Sequence, residues 1–281
     1  MSEPALDPPE ATRAAVAAAA AAGVVVRELH QPGHLLAVQR LFEEVWRPAE
    51  GDPPPVTAGL LRALAHSGAY VVGAFARTRM VGASAGFFTA PPDPVLHSHI
   101  TGVAPGGQRR GIGFALTVHQ RAWALARGVP EVVWTFDPLV ARNAWFNLAK
   151  LGALPTEYLE DFYGPMTDAI NAGMASDRLL LTWRLRDPAV AAACAGTPRQ
   201  PAAPAGTEPA LEVGPGLEPV ARKADAPVVT VAVPPDVEGL DPERRRAWRA
   251  AVREAMAGRL AEGAAVTGFL RRPDRYLVEA T

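Results

Sequence analysis

The stretch from residue 96 to residue 113 constrains the fold most strongly, because an extended pattern changes there into a helical one. Leu96–Val103 is predicted to be a β-strand, and Pro105 ends it. Gly106 and Gly107 follow, and a helix is predicted from Gly113 to Arg127. One face of the strand would carry His97, His99, Thr101 and Val103, and the other Ser98, Ile100 and Gly102. A strand that passes through a short glycine loop into a helix predicts a sheet covered by helices.

Apolar and β-branched runs predict further strands, and apolar residues spaced by three and four predict further helices. The additional strands are predicted at 24–29, 69–76, 80–89, 132–136, 157–163 and 179–185. The additional helices are predicted at 35–46, 58–66 and 139–151. We therefore expect an α/β domain over residues 24–187, with a mixed, mostly antiparallel sheet flanked by helices. Residues 1–23 would be an N-terminal extension with an alanine-driven helix that ends at Gly23.

The composition changes after the α/β domain. Residues 188–226 are rich in proline, alanine and glycine, which predicts a poorly ordered linker. Residues 227–281 predict a βαββ module whose helix runs from Pro242 to Leu260. A module of about 55 residues is small for independent stability. We therefore expect it to dock on the main domain or on another subunit.

Charge, cysteine content and hydropathy exclude several classes of protein. The net charge is −1, so the chain lacks the basic field of a non-specific nucleic-acid binder. Cys194 is the only cysteine, which excludes a disulfide framework and a cysteine-built zinc site. No run approaches the roughly 18 apolar residues of a membrane span, and acidic residues precede the apolar stretch 14–26, unlike a signal peptide. We expect a cytoplasmic protein, and its preference for arginine over lysine is typical of a GC-rich bacterial genome.

The loop between the central strand and its helix is the best candidate for chemistry. Backbone N–H groups at a helix N-terminus bind anions, and glycines let a phosphate approach closely. Gln108, Arg109 and Arg110 add donors that suit a pyrophosphate. Neither a P-loop nor a dinucleotide-binding fingerprint fits, since no Gly-Lys-Ser/Thr is present and a hairpin precedes the loop. The simplest alternative is a tight connection with solvated arginines.

The segment Gln108-Arg109-Arg110-Gly111-Ile112-Gly113 resembles the pyrophosphate-binding loop of the GNAT superfamily of N-acetyltransferases, Gln/Arg-x-x-Gly-x-Gly/Ala. It follows Val103-Ala104-Pro105 directly, and the predicted order of elements over Val24 to Arg186 is also similar to that fold. A second segment resembles an uncharacterised subfamily of predicted acetyltransferases within GNAT. It comprises Trp134-Thr135-Phe136-Asp137-Pro138-Leu139, Arg142-Asn143-Ala144 and Lys150-Leu151-Gly152.

The resemblance implies a co-substrate, acetyl-CoA, and an acceptor that is an amine of a small molecule or peptide. Family members bind the pantetheine arm through strand positions that match Thr101, Gly102 and Val103. The positions that match the pyrophosphate site are Gln108, Arg109, Arg110, Gly111, Ile112, Gly113 and Phe114. Asn143 matches, at a shorter offset, an asparagine that approaches the coenzyme arm.

The chain departs from the family pattern at the tyrosine that protonates the thiolate. Alignment on Lys150-Leu151-Gly152 places Leu148 at that position, and Ala153 replaces the usual phenylalanine. Tyr163, at the end of the predicted strand 157–163, is the first substitute, and Tyr158 is the second. The alternative for both is a half-buried strand residue with its hydroxyl in water.

Three further side chains are candidates for acid–base or acceptor contacts. His99, with His97 beside it, can deprotonate an ammonium acceptor near neutral pH, although a structural histidine is an equal alternative. The His-x-His pair has no third ligand at metal-binding spacing, so no metal site is expected. Asp137 is expected to cap the following helix, with acceptor binding as a second use. The arginines at 244–246 and 249 are expected on a solvated helix face.

The resemblance therefore implies an acetyl-CoA-dependent N-acetyltransferase that uses direct attack in a ternary complex. A homodimer is one expected assembly, and neither nucleic acid nor membrane is an expected partner. The alternative, favoured by the absent tyrosine, is a non-catalytic acyl-CoA-binding protein with the same fold, acting as a sensor.

Overall fold

The computed structural model describes residues 8–92, 94–164 and 175–280, which form two compact units. Unit 1 contains the described residues of 8–134 and 184–195, and unit 2 those of 135–164, 175–183 and 196–280. The helices are α1 (Pro8–Ala22), α2 (Pro32–Trp46), α3 (Ala58–His66), α4 (Ile112–Leu125), α5 (Ala141–Ala144), α6 (Pro188–Cys194) and α7 (Pro242–Ala261). The strands are β1 (Val25–Glu28), β2 (Tyr70–Ala76), β3 (Arg79–Phe88), β4 (Leu96–Val103), β5 (Glu131–Phe136), β6 (Leu154–Leu159), β7 (Arg178–Arg184), β8 (Glu208–Val213), β9 (Pro219–Ala221), β10 (Val228–Ala232), β11 (Ala265–Leu270) and β12 (Arg275–Glu279).

The sheet of unit 1 is mostly antiparallel. Its strands follow the order β1-β2-β3-β4-β5, in which the first four pair antiparallel and β5 pairs with β4 in parallel. Helices α2 and α4 flank this sheet. The predicted fold class, a mixed and mostly antiparallel sheet with flanking helices, is confirmed.

Helix α2 fixes which face of β4 is buried. Its apolar positions, at the predicted three- and four-residue spacing, lie in the core of unit 1, and Phe42 is fully buried. A Cβ added to Gly102 of β4 would lie 2.9 Å from the Trp46 ring and 3.0 Å from Phe42. The Ile100 and Gly102 face therefore packs on α2, which leaves the opposite face, with His97, His99 and Thr101, for other contacts.

Helix α1 confirms the predicted alanine-rich helix and packs against α4 of unit 1. It ends at Gly23, whose φ is +66°, and the Val24 N–H donates to the Ala19 carbonyl, as glycine-terminated helices do. The fully buried Arg121 of α4 reaches back to Glu10 of α1 over 3.1 Å. The described part of the extension is thus integrated into unit 1.

Unit 2 contains the antiparallel pair of β6 and β7 and a second sheet in the order β11-β12-β10-β8-β9. The predicted βαββ order is confirmed, since β10, α7, β11 and β12 follow one another in the chain. Helix α7 starts where predicted because Asp241 accepts the Arg244 N–H over 2.8 Å and Pro242 opens the first turn.

The prediction of a poorly ordered linker at 188–226 is wrong. Helix α6 occupies the start of this segment, and β8 pairs in parallel with β10 and antiparallel with β9. Ala210 and Leu211 of β8 are buried, so a short apolar stretch orders the segment despite its turn-rich composition. The C-terminal sheet therefore has five strands, two more than the predicted module.

Two predicted elements around residue 150 also differ from the structure. Where one helix was expected over 139–151, α5 is only a short α-helix and continues as a π-helical segment, Trp145–Lys150. The strand expected at 157–163 is instead β6, so Tyr163 lies in the turn after it. A search for the apolar spacing of an α-helix cannot detect a π-helix, because a π-helix has about one more residue per turn.

Candidate functional site

The loop from Ala104 to Gly111 turns sharply between β4 and α4. Gly106, Arg109 and Gly111 all have left-handed backbone, with φ of +82°, +63° and +80°. Glycine adopts this conformation freely, whereas for arginine it is strained, and strain of this kind concentrates at binding sites. Left-handed residues within a loop turn neighbouring N–H groups toward one side, an arrangement that binds anions.

The start of α4 supplies further donors to this loop. The first bond within the helix runs from the Ala115 N–H to the Gly111 carbonyl over 2.9 Å, so the N–H groups of Ile112 and Gly113 precede it. These donors carry the partial positive charge of the helix N-terminus. The residues exposed around them are Gln108, Arg109, Arg110 and Gly111. The loop therefore offers backbone and guanidinium donors together, which is what a pyrophosphate needs.

Strand β4 pairs with its neighbour β5 over only a short part of its length. In the described part of the chain the two strands pair only at Leu96 with Val132 and at His97 with Val133. The Thr101 hydroxyl is hydrogen-bonded to Ser84 of β3 over 2.7 Å. The edge of β4 beyond His97 is thus not committed to β5, and the positions that the resemblance assigns to the pantetheine arm, Thr101 to Val103, lie on that edge.

His97 and His99 lie on the same face of β4, as the alternation predicted. Their ring centroids are 6.2 Å apart, and Phe87 of β3 stacks on His97 at 4.9 Å and lies 5.7 Å from His99. Partial burial lowers the pKa of both imidazoles, and the neighbouring His99 lowers the pKa of His97 further. Both rings are therefore neutral at pH 7, the state in which an imidazole accepts a proton.

Tyr163 presents its hydroxyl at the surface of unit 2. The side chain is 46% exposed, and its hydroxyl lies 3.1 Å from the Thr135 hydroxyl of β5. The Arg178 guanidinium lies 5.3 Å from the ring centroid, and the Tyr163 N–H donates to the Ser176 hydroxyl over 2.8 Å. The phenol is accessible, and both its hydroxyl and the backbone N–H of the residue have hydrogen-bonding partners. A proton donor needs to be accessible and positioned in this way.

Tyr158, the second substitute, has a structural role. Its hydroxyl donates to the fully buried Asp177 over 2.7 Å, and burial together with this carboxylate raises its pKa far above the ordinary tyrosine value. Leu148, at the position of the family tyrosine, is also buried. Neither residue presents a proton donor to a ligand.

Asp137 was predicted to cap a helix and to contact the acceptor, but the structure places its side chain in the interior of unit 2. Both of its carboxylate oxygens accept hydrogen bonds of 2.6 Å from Arg249 of α7, and one also accepts the Leu139 N–H. Helix α5 begins only at Ala141, so this last bond closes a turn and does not cap the helix. A carboxylate that is saturated in this way has no free oxygen pair for an acceptor amine.

The remaining predicted residue, Asn143, is exposed on α5 in unit 2. Unit 1 holds the loop, the β4 positions and the two histidines, and unit 2 holds Tyr163, Asp137 and Asn143. Within the described residues, no group of three or more metal-ligating side chains is found.

Sequence reasoning missed the partners of these side chains. Phe87 is separated from the histidines in sequence and joins them only through strand pairing. Arg249 was assigned to a solvated face, yet it is buried. Arg249 and Arg253 are four residues apart and adjoin the buried positions Trp248, Val252 and Met256, and this spacing was a readable signal of an inward-facing arginine pair.

The described residues contain no helix with both the length and the apolar character needed to cross a bilayer. Comparison with known proteins gives no match to a protein-family model and no match to a curated protein.

Several solved structures are similar to this chain. One is an acetyltransferase of the GNAT family from Streptococcus pneumoniae, at 14% identity and a TM-score of 0.46, covering 57% of this chain and 98% of that one. A second, from Salmonella typhimurium, contains its cofactor acetyl-CoA and has 15% identity and a TM-score of 0.47, covering 65% and 98%. A third is an aminoglycoside acetyltransferase from an uncultured soil metagenomic sample, in complex with sisomicin, at 21% identity and a TM-score of 0.38, covering 41% and 79%. These values are too low to establish a shared fold or activity.

Proposed function

We propose that this protein is an acetyl-CoA-dependent N-acetyltransferase of the GNAT type, acting in the cytoplasm on an amine of a small molecule or peptide. The observation that carries the proposal is the loop between β4 and α4. It combines the fixed positions Gln108, Gly111 and Gly113 of the acetyl-CoA motif with left-handed backbone at Gly111 and with the N–H groups of Ile112 and Gly113 at a helix start.

The residues present fit the pyrophosphate and the pantetheine arm. Exposed Arg109 and Arg110 supply charge, and the first turn of α4 supplies N–H donors. The edge of β4 from Thr101 to Val103 offers strand backbone that is not paired with β5, which suits the amide groups of pantetheine. Asn143 remains a candidate contact to the same arm.

The chemistry of acetyl transfer needs a base and an acid. Attack of the amine nitrogen on the acetyl carbon forms the amide bond and breaks the C–S bond, so a proton leaves nitrogen and a proton reaches the thiolate. We assign the first proton to His99, which is neutral at pH 7, and the second to the exposed hydroxyl of Tyr163.

A non-catalytic acyl-CoA sensor is the second candidate. The observation that favours it is the buried Leu148 at the position of the family's thiolate-protonating tyrosine. A sensor needs the same loop and needs no acid or base, so the two candidates agree on binding and differ only in turnover.

Acceptor-dependent release of free CoA separates the two candidates. A panel of primary amines, including aminoglycosides and short peptides, is mixed with acetyl-CoA and the wild-type protein. We expect His99→Asn and Tyr163→Phe each to lower kcat/KM by about a hundredfold, whereas His66→Asn, an exposed control at the end of α3, leaves it unchanged. Binding of acetyl-CoA with no release for any amine would contradict the transferase and support the sensor.

A further inference from the structure

We propose that α7 of the C-terminal segment positions Tyr163, and that Arg253 is the residue through which it does so. The assignment of Tyr163 as a proton donor belongs to the proposed function, and this inference rests on it. The observations that carry the new step are the hydrogen bonds that run from α7 to the Tyr163 turn, all of them within unit 2.

The first link joins α7 to Asp177. Arg253 donates two hydrogen bonds to this carboxylate, the longer of them 2.9 Å, and Asp177 is fully buried. Burial alone would raise the pKa of Asp177, but the hydrogen bonds from Arg253 and Tyr158 and from the backbone of Asp161 lower it below the usual value. Asp177 therefore stays ionised and depends on Arg253 for its charge partner.

The second link joins Asp177 to the turn that carries Tyr163. Asp177 accepts the Asp161 N–H over 3.1 Å, and the Asp161 carboxylate accepts the Ser176 N–H over 2.8 Å. Ser176 in turn holds the turn at two points, because its carbonyl accepts the Phe162 N–H and its hydroxyl accepts the Tyr163 N–H. Asp161 has a left-handed φ of +43°, a strained conformation that such bonds must maintain.

These links make Arg253 a positioning residue and not a catalytic one. The Tyr163 side chain is nearly half exposed, and among the described residues its ring contacts Phe162 and Arg178 and its hydroxyl contacts Thr135, so its own packing fixes it only in part. The position of the phenol therefore depends on the backbone of the turn, and the turn depends on the buried carboxylate that Arg253 neutralises. Removal of Arg253 leaves Asp177 without its strongest partner and frees the turn.

Amide hydrogen exchange tests the positioning whether or not turnover is found. Phe162 and Tyr163 donate the bonds that hold the turn, so in Arg253→Met their exchange should be at least about tenfold faster. The matched control is Arg246→Met, which replaces an exposed arginine of the same helix and should leave both amides as in the wild type. Unchanged exchange in a folded Arg253→Met would overturn the proposal. Arg253→Lys keeps the charge but not the two-pronged guanidinium, so the proposal predicts an intermediate exchange rate for this variant.

The functional use of this positioning is tested by a double-mutant cycle on acetyl transfer. Arg253→Met should lower kcat at least about tenfold with little change in the KM for acetyl-CoA, and should have no further effect in a Tyr163→Phe background. Additive losses in the two backgrounds would show a general structural effect and overturn the functional link. Absence of turnover in the wild type would contradict the proposed function alone, since the exchange result still decides the positioning.

Discussion

Single side chains in this protein take their chemical state from neighbours that are distant in sequence. His97 and His99 are the best case, because Phe87 contacts both rings and partial burial lowers the pKa of each. The same is true of Asp137, which the sequence predicts as a helix cap with acceptor binding as a second use, whereas both of its carboxylate oxygens accept hydrogen bonds from Arg249. At this scale the sequence identifies the reactive group but not its partner.

The lowered pKa of the two histidines is directly measurable. We expect the imidazole C2 protons of His97 and His99 to titrate by NMR below the ordinary histidine value of about 6.5. In Phe87→Ala water returns to both rings, so both pKa values should rise toward that value, and the acidic limb of kcat/KM should move upward with them. Titration of His99 at or above the ordinary value in the wild type would contradict the assignment of a neutral base.

Elements with a strong local signal were predicted accurately, and elements held by long-range contacts were not. The bounds of α3 and β4 match because a capping threonine and a following proline mark them in the sequence. The prediction of a linker at 188–226 was wrong because the short strands there contribute fewer residues to the composition of the segment than the turns do. The order of strand, loop and helix around Gly111 was also predictable, because the glycines in the sequence stand at the positions where the backbone turns. The contact of Asp137 with Arg249, 112 residues apart, has no periodicity that could reveal it.

Helix α1 gives a prediction at the scale of the element. Its Glu10 pairs with Arg121, which is fully buried and also donates to the Leu185 carbonyl. Glu10→Ala leaves a buried guanidinium without its carboxylate, and we expect the free energy of unfolding to fall by about 2 kcal/mol. Arg13→Ala, an exposed change on the same helix, should cost little. Denaturant unfolding measures both, and equal losses would contradict the view that the ion pair docks α1.

The whole molecule is divided differently from what its composition indicated. Residues 135–164 and 175–183, which the GNAT resemblance assigns to one domain with the loop, belong to the same compact unit as the C-terminal sheet. The C-terminal segment is thus part of the structure that carries Tyr163. This organisation is what the proposed positioning of Tyr163 through α7 requires, because α7 and the Tyr163 turn lie in the same unit.

Binding of acetyl-CoA by the loop at the start of α4 is the central claim, and Gly113 allows a controlled test of it. A Cβ at this helical position meets only Val103, at 3.9 Å, so both Ala and Asp can be accommodated. Alanine favours the helix by about 1 kcal/mol, and aspartate also suits a helix N-terminus. Aspartate, however, places a negative charge where the pyrophosphate would lie. Loss of binding in Gly113→Asp therefore cannot be attributed to a weakened helix.

Calorimetric titration of acetyl-CoA into the wild type, Gly113→Ala and Gly113→Asp is the most direct measurement. We predict that the wild type and Gly113→Ala bind with similar affinity, and that Gly113→Asp binds at least about a hundredfold more weakly at undiminished thermal stability. Equal affinity in all three proteins would show that the pyrophosphate does not bind at this loop. Absence of binding in the wild type would contradict both the transferase and the sensor.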